Sequence, residues 1–228
     1  MNTALILVLS GIMVAVMAAL IVYGFAQARQ RTTDLQAAAQ EIGFTFEGDW
    51  TNPTLAGQLK TALFKRGGAG RPTNVMTGTS AGFKAGLFDY SYTISTGKSS
   101  STITQTVAAY SQDRSLPLFE MRPEGFLDRV GDAFVHADID FDSHPEFSRR
   151  YLLRGPEPDE IRSLFTPALL TFLERLCPED KWHIEGGGVT LILYRTGVTL
   201  EAAALRSFLN ETSSIAGTFF SCCGARKS

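Results

Sequence analysis

The chain has 228 residues, of which 44% are hydrophobic and 19% charged, a composition that excludes a disordered protein. Its formal net charge is −2, without the basic excess of nucleic-acid binders, so no nucleic-acid partner is expected. The three cysteines, Cys177, Cys222 and Cys223, are odd in number and two are adjacent, which excludes a secreted disulfide framework and fits a reducing compartment.

Ala4 to Ala26 is an apolar run interrupted only by Ser10 and two glycines. At about 1.5 Å per residue, a helix of that length covers roughly 34 Å, enough to cross a ~30 Å hydrocarbon core. Tyr23 and Phe25 fall at its far end, where aromatic rings meet headgroups. Ala26-Gln27-Ala28 imitates a signal-cleavage site. Signal peptides, however, carry a basic leading segment and an apolar core of only about 7 to 15 residues. Residues 1–31 are therefore expected to be a retained single-pass anchor, and the membrane is a partner through Ala4 to Ala26. Arg29 and Arg31 follow the run and no Lys or Arg precedes it. By the positive-inside rule the N-terminus lies outside and the C-terminal domain in the cytoplasm.

Thr32-Thr33-Asp34 can cap a helix over Leu35 to Ile42 that Gly43 ends, continuing the spanning helix or following a short break. Phe44 to Phe46 reads as a brief strand and Gly48 to Thr54 as a turn. Leu55, Leu59, Leu63 and Phe64 read as a short amphipathic element. Gly67 to Pro72 reads as a loop. Strands follow over 74–78, 83–95 and 102–110, the last two joined by a hairpin at Gly97 to Ser100, with a further strand over 116–121.

Residues 123–130 read as a short helix, and 135–141 and 147–153 as extended. Helical turns cover 159–165 and 166–176, with Thr166-Pro167 marking a helix start. Residues 182–186 and 189–195 form an expected hairpin across Gly186-Gly187-Gly188, and 200–209 is a last helix. Residues 221–228 read as a loose tail. No linker or repeat divides residues 32–220, which predicts one α+β domain of mainly antiparallel sheet with packed helices.

Gly78-Thr79-Ser80-Ala81-Gly82 matches the G-x-S-x-G elbow of serine hydrolases and makes Ser80 the catalytic candidate. That chemistry needs a strand before the serine and a helix after it, whereas Phe83 onward reads as a strand, so a glycine-bounded turn is the simpler reading. Gly97-Lys98-Ser99 lacks the earlier glycine of a phosphate-binding loop, having Tyr92 there.

His136, Asp138, Asp140, Asp142 and His144 recur at every second position and could offer a divalent cation two imidazoles and three carboxylates. In one strand such residues stand nearly 7 Å apart, too far to converge on one ion, and a solvated strand face is the simpler reading. No metal or other cofactor is therefore expected. Arg149, Arg150 and Arg154, with Arg29 and Arg31, are candidates for touching anionic headgroups. Pairing of the first three with Glu157, Asp159 and Glu160 is the alternative.

The segments N-V-M-T-G-T-S-A-G-F-K-A-G-L-F-D-Y-S-Y (74–92) and P-E-F-S-R-R-Y-L-L-R-G (145–155) resemble stretches in two bacterial groups of membrane proteins of unknown function. The resemblance implies a single-pass protein of the bacterial inner membrane and supplies no catalytic residue. It makes Gly78 and Gly82 turn glycines and places Asp89 and Tyr90 in a core strand. Together these readings favour a non-enzymatic interaction or scaffold module, partnered by another membrane or cytoplasmic protein. The alternatives are a Ser80 hydrolase and a lipid- or small-ligand-binding domain with its pocket lined by phenylalanine.

Overall fold

The structure, a computed structural model, describes residues 3–49, 61–95, 97, 99–124 and 138–224. The expected elements around Leu55, Leu59, residues 125–130 and 135–137, together with His136, Lys98 and the last four residues, lie outside the described residues.

The fold is α+β: a long N-terminal apolar helix precedes a six-stranded antiparallel sheet with packed helices. Helix α1 runs without a break from Thr3 to Glu41, 39 residues. Its first described side chains are apolar on every side and exposed, Met13, Val14 and Tyr23 each by more than 60%. Among the described residues it is one helix long and apolar enough to cross a membrane. Its last turns do the opposite, burying Leu35, Ala38 and Ala39 in the core. Gly43, at φ +78, then releases the chain into β1, Thr45–Gly48.

The sheet continues through β2 (Gly68–Ser80), β3 (Phe83–Ser95) and β4 (Ser100–Pro123). Then come α2 (Pro145–Arg150), β5 (Tyr151–Arg154), α3 (Pro158–Leu164), α4 (Pro167–Glu174), β6 (His183–Tyr194) and α5 (Leu205–Gly224). Strand β4, 24 residues long, is the organiser. Strand β6 takes one of its edges, while β3 and then β5 take successive parts of the other. Thr166 caps α4 as Thr166-Pro167 predicts, its hydroxyl accepting from the Leu169 N–H at 3.4 Å.

Several expectations are corrected. The strands expected over 102–110 and 116–121 are one strand carrying a bulge: Ser111 pairs with Thr190 and Leu116 with Gly188, so 112–115 face a single residue. Of the expected loop Gly67 to Pro72, all but Gly67 is the start of β2. Pro72 sits there in register with Tyr90 because β1 pairs only from Val75 onward and leaves this edge free. The glycine run 186–188 is inside continuous β6. Gly186 lies under the Phe119 ring, where any Cβ would overlap it, and Gly188 takes φ +59 at the bulge.

Residues 147–150 are helical rather than extended, because the carboxylate of Glu174 accepts from the Phe147 N–H at 3.2 Å and caps the turn. Helix α5 carries the chain through residues 221–224, where a loose tail is expected.

Two apolar clusters lie on opposite faces of the sheet. On one, α1, α3, α4 and α5 cover Leu87, Tyr110, Leu193 and a phenylalanine group in which Phe119 meets Phe165 edge-on at 5.2 Å and stacks on Phe219 at 5.9 Å. These phenylalanines are buried in the core. The other face carries Val75, Phe88, Tyr90, Tyr92, Ile192 and Tyr194, covered in part by a 3-10 turn at Ala62–Lys65 whose Phe64 packs on Tyr90 at 4.9 Å.

Candidate functional site

A buried polar cluster lies where α1 meets the sheet, and it is built around Asp89. This carboxylate stands in the middle of β3 and is only 4% exposed. Burying a carboxylate is costly unless its oxygens are satisfied, and here three side chains satisfy it. Arg31 donates from Nε and Nη2 at 3.0–3.2 Å. Asn74 donates from Nδ2 at 3.0 Å and Thr106 from Oγ1 at 2.8 Å.

The cluster extends in both directions. Thr32 donates to Asn74 Oδ1 at 2.9 Å, so two adjacent residues of α1 are held. The Thr106 hydroxyl accepts from the Leu200 N–H at 3.0 Å, tying in the loop before α5. Asn74 reaches its position by adopting φ +51 inside a register break of β2, a left-handed conformation that asparagine tolerates better than most residues. Leu35, Ala38 and Ala39 then bury the next turns of the helix. The arrangement fixes the direction in which α1 leaves the domain.

A second polar cluster sits on the other sheet face. Arg66 bonds to Glu120 and lies 4.0 Å from Glu185, and Arg122 lies 3.8 Å from Glu120. Glu185 also accepts from the Leu63 N–H at 2.7 Å and the Tyr194 hydroxyl at 2.6 Å. Two guanidinium groups and two carboxylates balance in charge. His183 stacks on Tyr194, and burial, with the charges of Arg66 and Arg122, pushes its pKa down to about 3. The imidazole is therefore neutral, with Nε2 3.2 Å from the Thr196 hydroxyl. Sequence reading missed this cluster, since its partners come from the 3-10 turn, β4 and β6, far apart in the chain. The available signal was His183 and Glu185 at alternate positions of an otherwise apolar strand.

The sequence candidates are dispersed. Ser80 closes β2 at a two-residue hairpin whose Ala81 and Gly82 both take positive φ, 49° and 83°, and β3 follows directly. Its hydroxyl lies 2.6 Å from that of Ser213, which in turn lies 3.1 Å from the Tyr110 hydroxyl. Hydroxyl beside hydroxyl supplies no general base, and strand–turn–strand is not the elbow geometry.

Asp138, Asp140, Asp142 and His144 lie in an irregular segment, not along a strand face. Asp138 accepts from the Leu153 N–H at 2.9 Å; burial raises its pKa, which this bond partly offsets. His144 Nδ1 lies 3.3 Å from Glu174. Among the described residues no three His, Cys, Asp or Glu side chains gather as metal ligands would.

Of the five candidate headgroup-contacting arginines, Arg31 is held by Asp89, and Arg150 donates to the Glu174 and Leu176 carbonyls at the end of α4. Arg149 pairs with Glu146 at 2.6 Å on the surface. Arg154 is the last residue of β5, facing Glu120 in the ladder. Arg29 is exposed at the end of the apolar segment.

No protein-family model and no curated protein matches the chain, so neither of the two bacterial groups is shown as its family. The crystal structure of the mycobacterial trehalose monomycolate transport factor A, TtfA, superposes on it with a TM-score of 0.55. The match covers 85% of this chain and 94% of that one at 16% identity. What the two proteins share is the fold.

Proposed function

We propose that this chain is a membrane-tethered, non-enzymatic interaction module serving an assembly that moves a lipid conjugate at a bacterial inner membrane, with its domain on the cytoplasmic side. The observation that carries this reading is the junction. One helix leaves the apolar segment and enters the core without a break, and Arg31 and Thr32 are held by Asp89 and Asn74. A tether that only localises a domain works as a flexible linker. A fixed exit direction has a use when a neighbour in the same membrane reads the orientation of the domain.

The fold shared with a trehalose monomycolate transport factor supports the lipid-transport setting. Ser80, facing another hydroxyl in a hairpin, weighs against the hydrolase alternative. The cytoplasmic placement rests on Arg29 and Arg31 following the apolar run.

The test is crosslinked co-purification of the tagged full-length chain from membranes, beside Arg31→Ala and a version lacking residues 1–31. The expected result is a near-stoichiometric membrane-protein partner for the full chain, less of it for Arg31→Ala at equal membrane retention, and none for the truncation. Recovery of the full chain alone overturns the proposal.

A further inference from the structure

The sheet face opposite α1 is only partly covered. Near Tyr90 the 3-10 turn closes it, but toward the Ser80 hairpin it opens into a groove of about 1100 Å³ whose lining reaches round to Phe83 and Phe220 of the helix-side core. Register places Thr77, Gly86 and Ala109 side by side as its floor. The bulge of β4 from Gln112 to Arg114 borders it, and Phe88 also lines it. This opening lies beyond the junction from the anchor: Arg31 meets Asp89, whereas Phe44, thirteen residues further along the chain, packs on Gly78, the register partner of Ala85.

Two polar atoms in the groove lining have no hydrogen-bond partner among the described residues. Thr190 is 1% exposed and its Oγ1 makes no hydrogen bond; the buried Nε2 of Gln112 makes none either. Buried polar atoms are paired in the great majority of cases, because leaving one unpaired costs free energy. Two such atoms, from adjacent parts of β4 and β6 and both at the wall of one groove, point to a ligand that completes them.

The chemistry of the lining selects its class. Gln112 Nε2 can only donate, so the ligand must present an acceptor, and the Thr190 hydroxyl can donate or accept. Among the described lining residues the ionisable groups are Glu47 and Asp113 against Lys84 and Arg114, which leaves no net charge to favour an anion or a cation. The floor of Gly86 and Ala109 carries little side chain and lets a flat ring approach the sheet. The backbone there is already paired on both sides, so an added strand would find no partner. We infer that the groove is a binding site for a neutral, hydroxyl-rich ligand, a saccharide either free or as the headgroup of a lipid.

The experiment uses the full chain in lipid nanodiscs, with methyl-labelled threonine and alanine followed by NMR. The probes are maltose, trehalose and octyl maltoside, with dioctanoyl phosphatidylglycerol and a glycyl dipeptide as comparators. A saturable shift at Thr190 and Ala109 with a neutral sugar supports the site. If free disaccharide suffices the ligand is a soluble saccharide, and if only the maltoside acts it is a lipid headgroup.

Gln112→Leu is expected to weaken sugar binding about tenfold, the scale of one lost hydrogen bond. Thr190→Val removes an unpaired hydroxyl, so it should keep or raise Tm while also weakening the sugar. No saturable shift with any sugar, a response only to the anionic lipid or the dipeptide, or unchanged sugar binding in both variants overturns the inference. Because binding is read on the chain alone, its failure leaves the partner experiment of the proposed function untouched.

Discussion

Arg31 and Asp89, 58 positions apart in the chain, form a two-pronged ion pair at the level where α1 passes from exposed to buried. Asp89 has 6% of its side chain exposed and Arg31 24%, so the two are not equivalent. Removing Asp89 leaves a guanidinium that water can reach. Removing Arg31 leaves a buried carboxylate with, among the described residues, Asn74 and Thr106 as side-chain donors. Arg31→Ala should therefore cost about 2–4 kcal/mol, toward the range for breaking buried pairs. In a double-mutant cycle with Asp89→Asn the coupling should reach about 1–3 kcal/mol. Additive losses in denaturant unfolding would show that the pair is incidental to the junction.

That pair also marks the limit of what the sequence discloses. The apolar run, strand 83–95 and the Thr166-Pro167 helix start are local signals, decided by residues within a turn or two, and they appear in the structure. Arg31 read as a headgroup contact because nothing near it in sequence names Asp89. The same holds for Glu174, which lies 27 residues from the amide it caps and turns an expected strand into α2. The glycines at 186–188 misled for a different reason. Glycine marks a turn or a close approach, and only the facing strand tells which. The groove donors Gln112 and Thr190 had no signal at all, since an unpaired group is defined by what is absent around it.

The close approach is testable. Gly186 lies directly under Phe119, which is fully buried and touches Phe165 and Phe219. Gly186→Ala forces that ring into a packed neighbourhood and should cost about 1–3 kcal/mol, the scale of overpacking. Gly188→Ala, at φ +59 with open space around it, meets only backbone strain and should cost about 1 kcal/mol. If the run were a hairpin turn the order would reverse, and paired urea unfolding curves decide between them.

His183 predicts an acid sensitivity with a defined sign. Its folded pKa of about 3 lies below the ordinary value of 6.5, so between these pH values the unfolded chain takes up a proton that the folded chain refuses. Stability from this group is complete above about pH 6.5. It is lost as pH falls, by about 1.4 kcal/mol per pH unit through the window, and levels off near pH 3. His183→Gln keeps a polar side chain without the titration. The difference in unfolding free energy between wild type and variant should therefore shrink steadily from pH 7 to pH 4. A difference that stays constant with pH would mean that the imidazole is not excluded from protonation in the folded state.

The anchor carries the last prediction, and it separates insertion from folding. Arg31 ends up paired with Asp89, yet membrane orientation is chosen while the chain is inserted, before the sheet that holds Asp89 exists. Under the proposed orientation both Arg29 and Arg31 are therefore available to hold the C-terminal side in the cytoplasm, whatever their later partners. Adding two arginines ahead of the run, Asn2→Arg with Thr3→Arg, removes the asymmetry and should produce a mixed population. A C-terminal reporter active only in the cytoplasm should lose a substantial part of its signal, while Met17→Arg at mid-span, costing about 2.5–3.5 kcal/mol, should reduce membrane retention itself. Full activity of a reporter that works only outside the cytoplasm, fused to the unmodified chain, would reverse the proposed orientation and put the junction and the groove on the other side of the membrane.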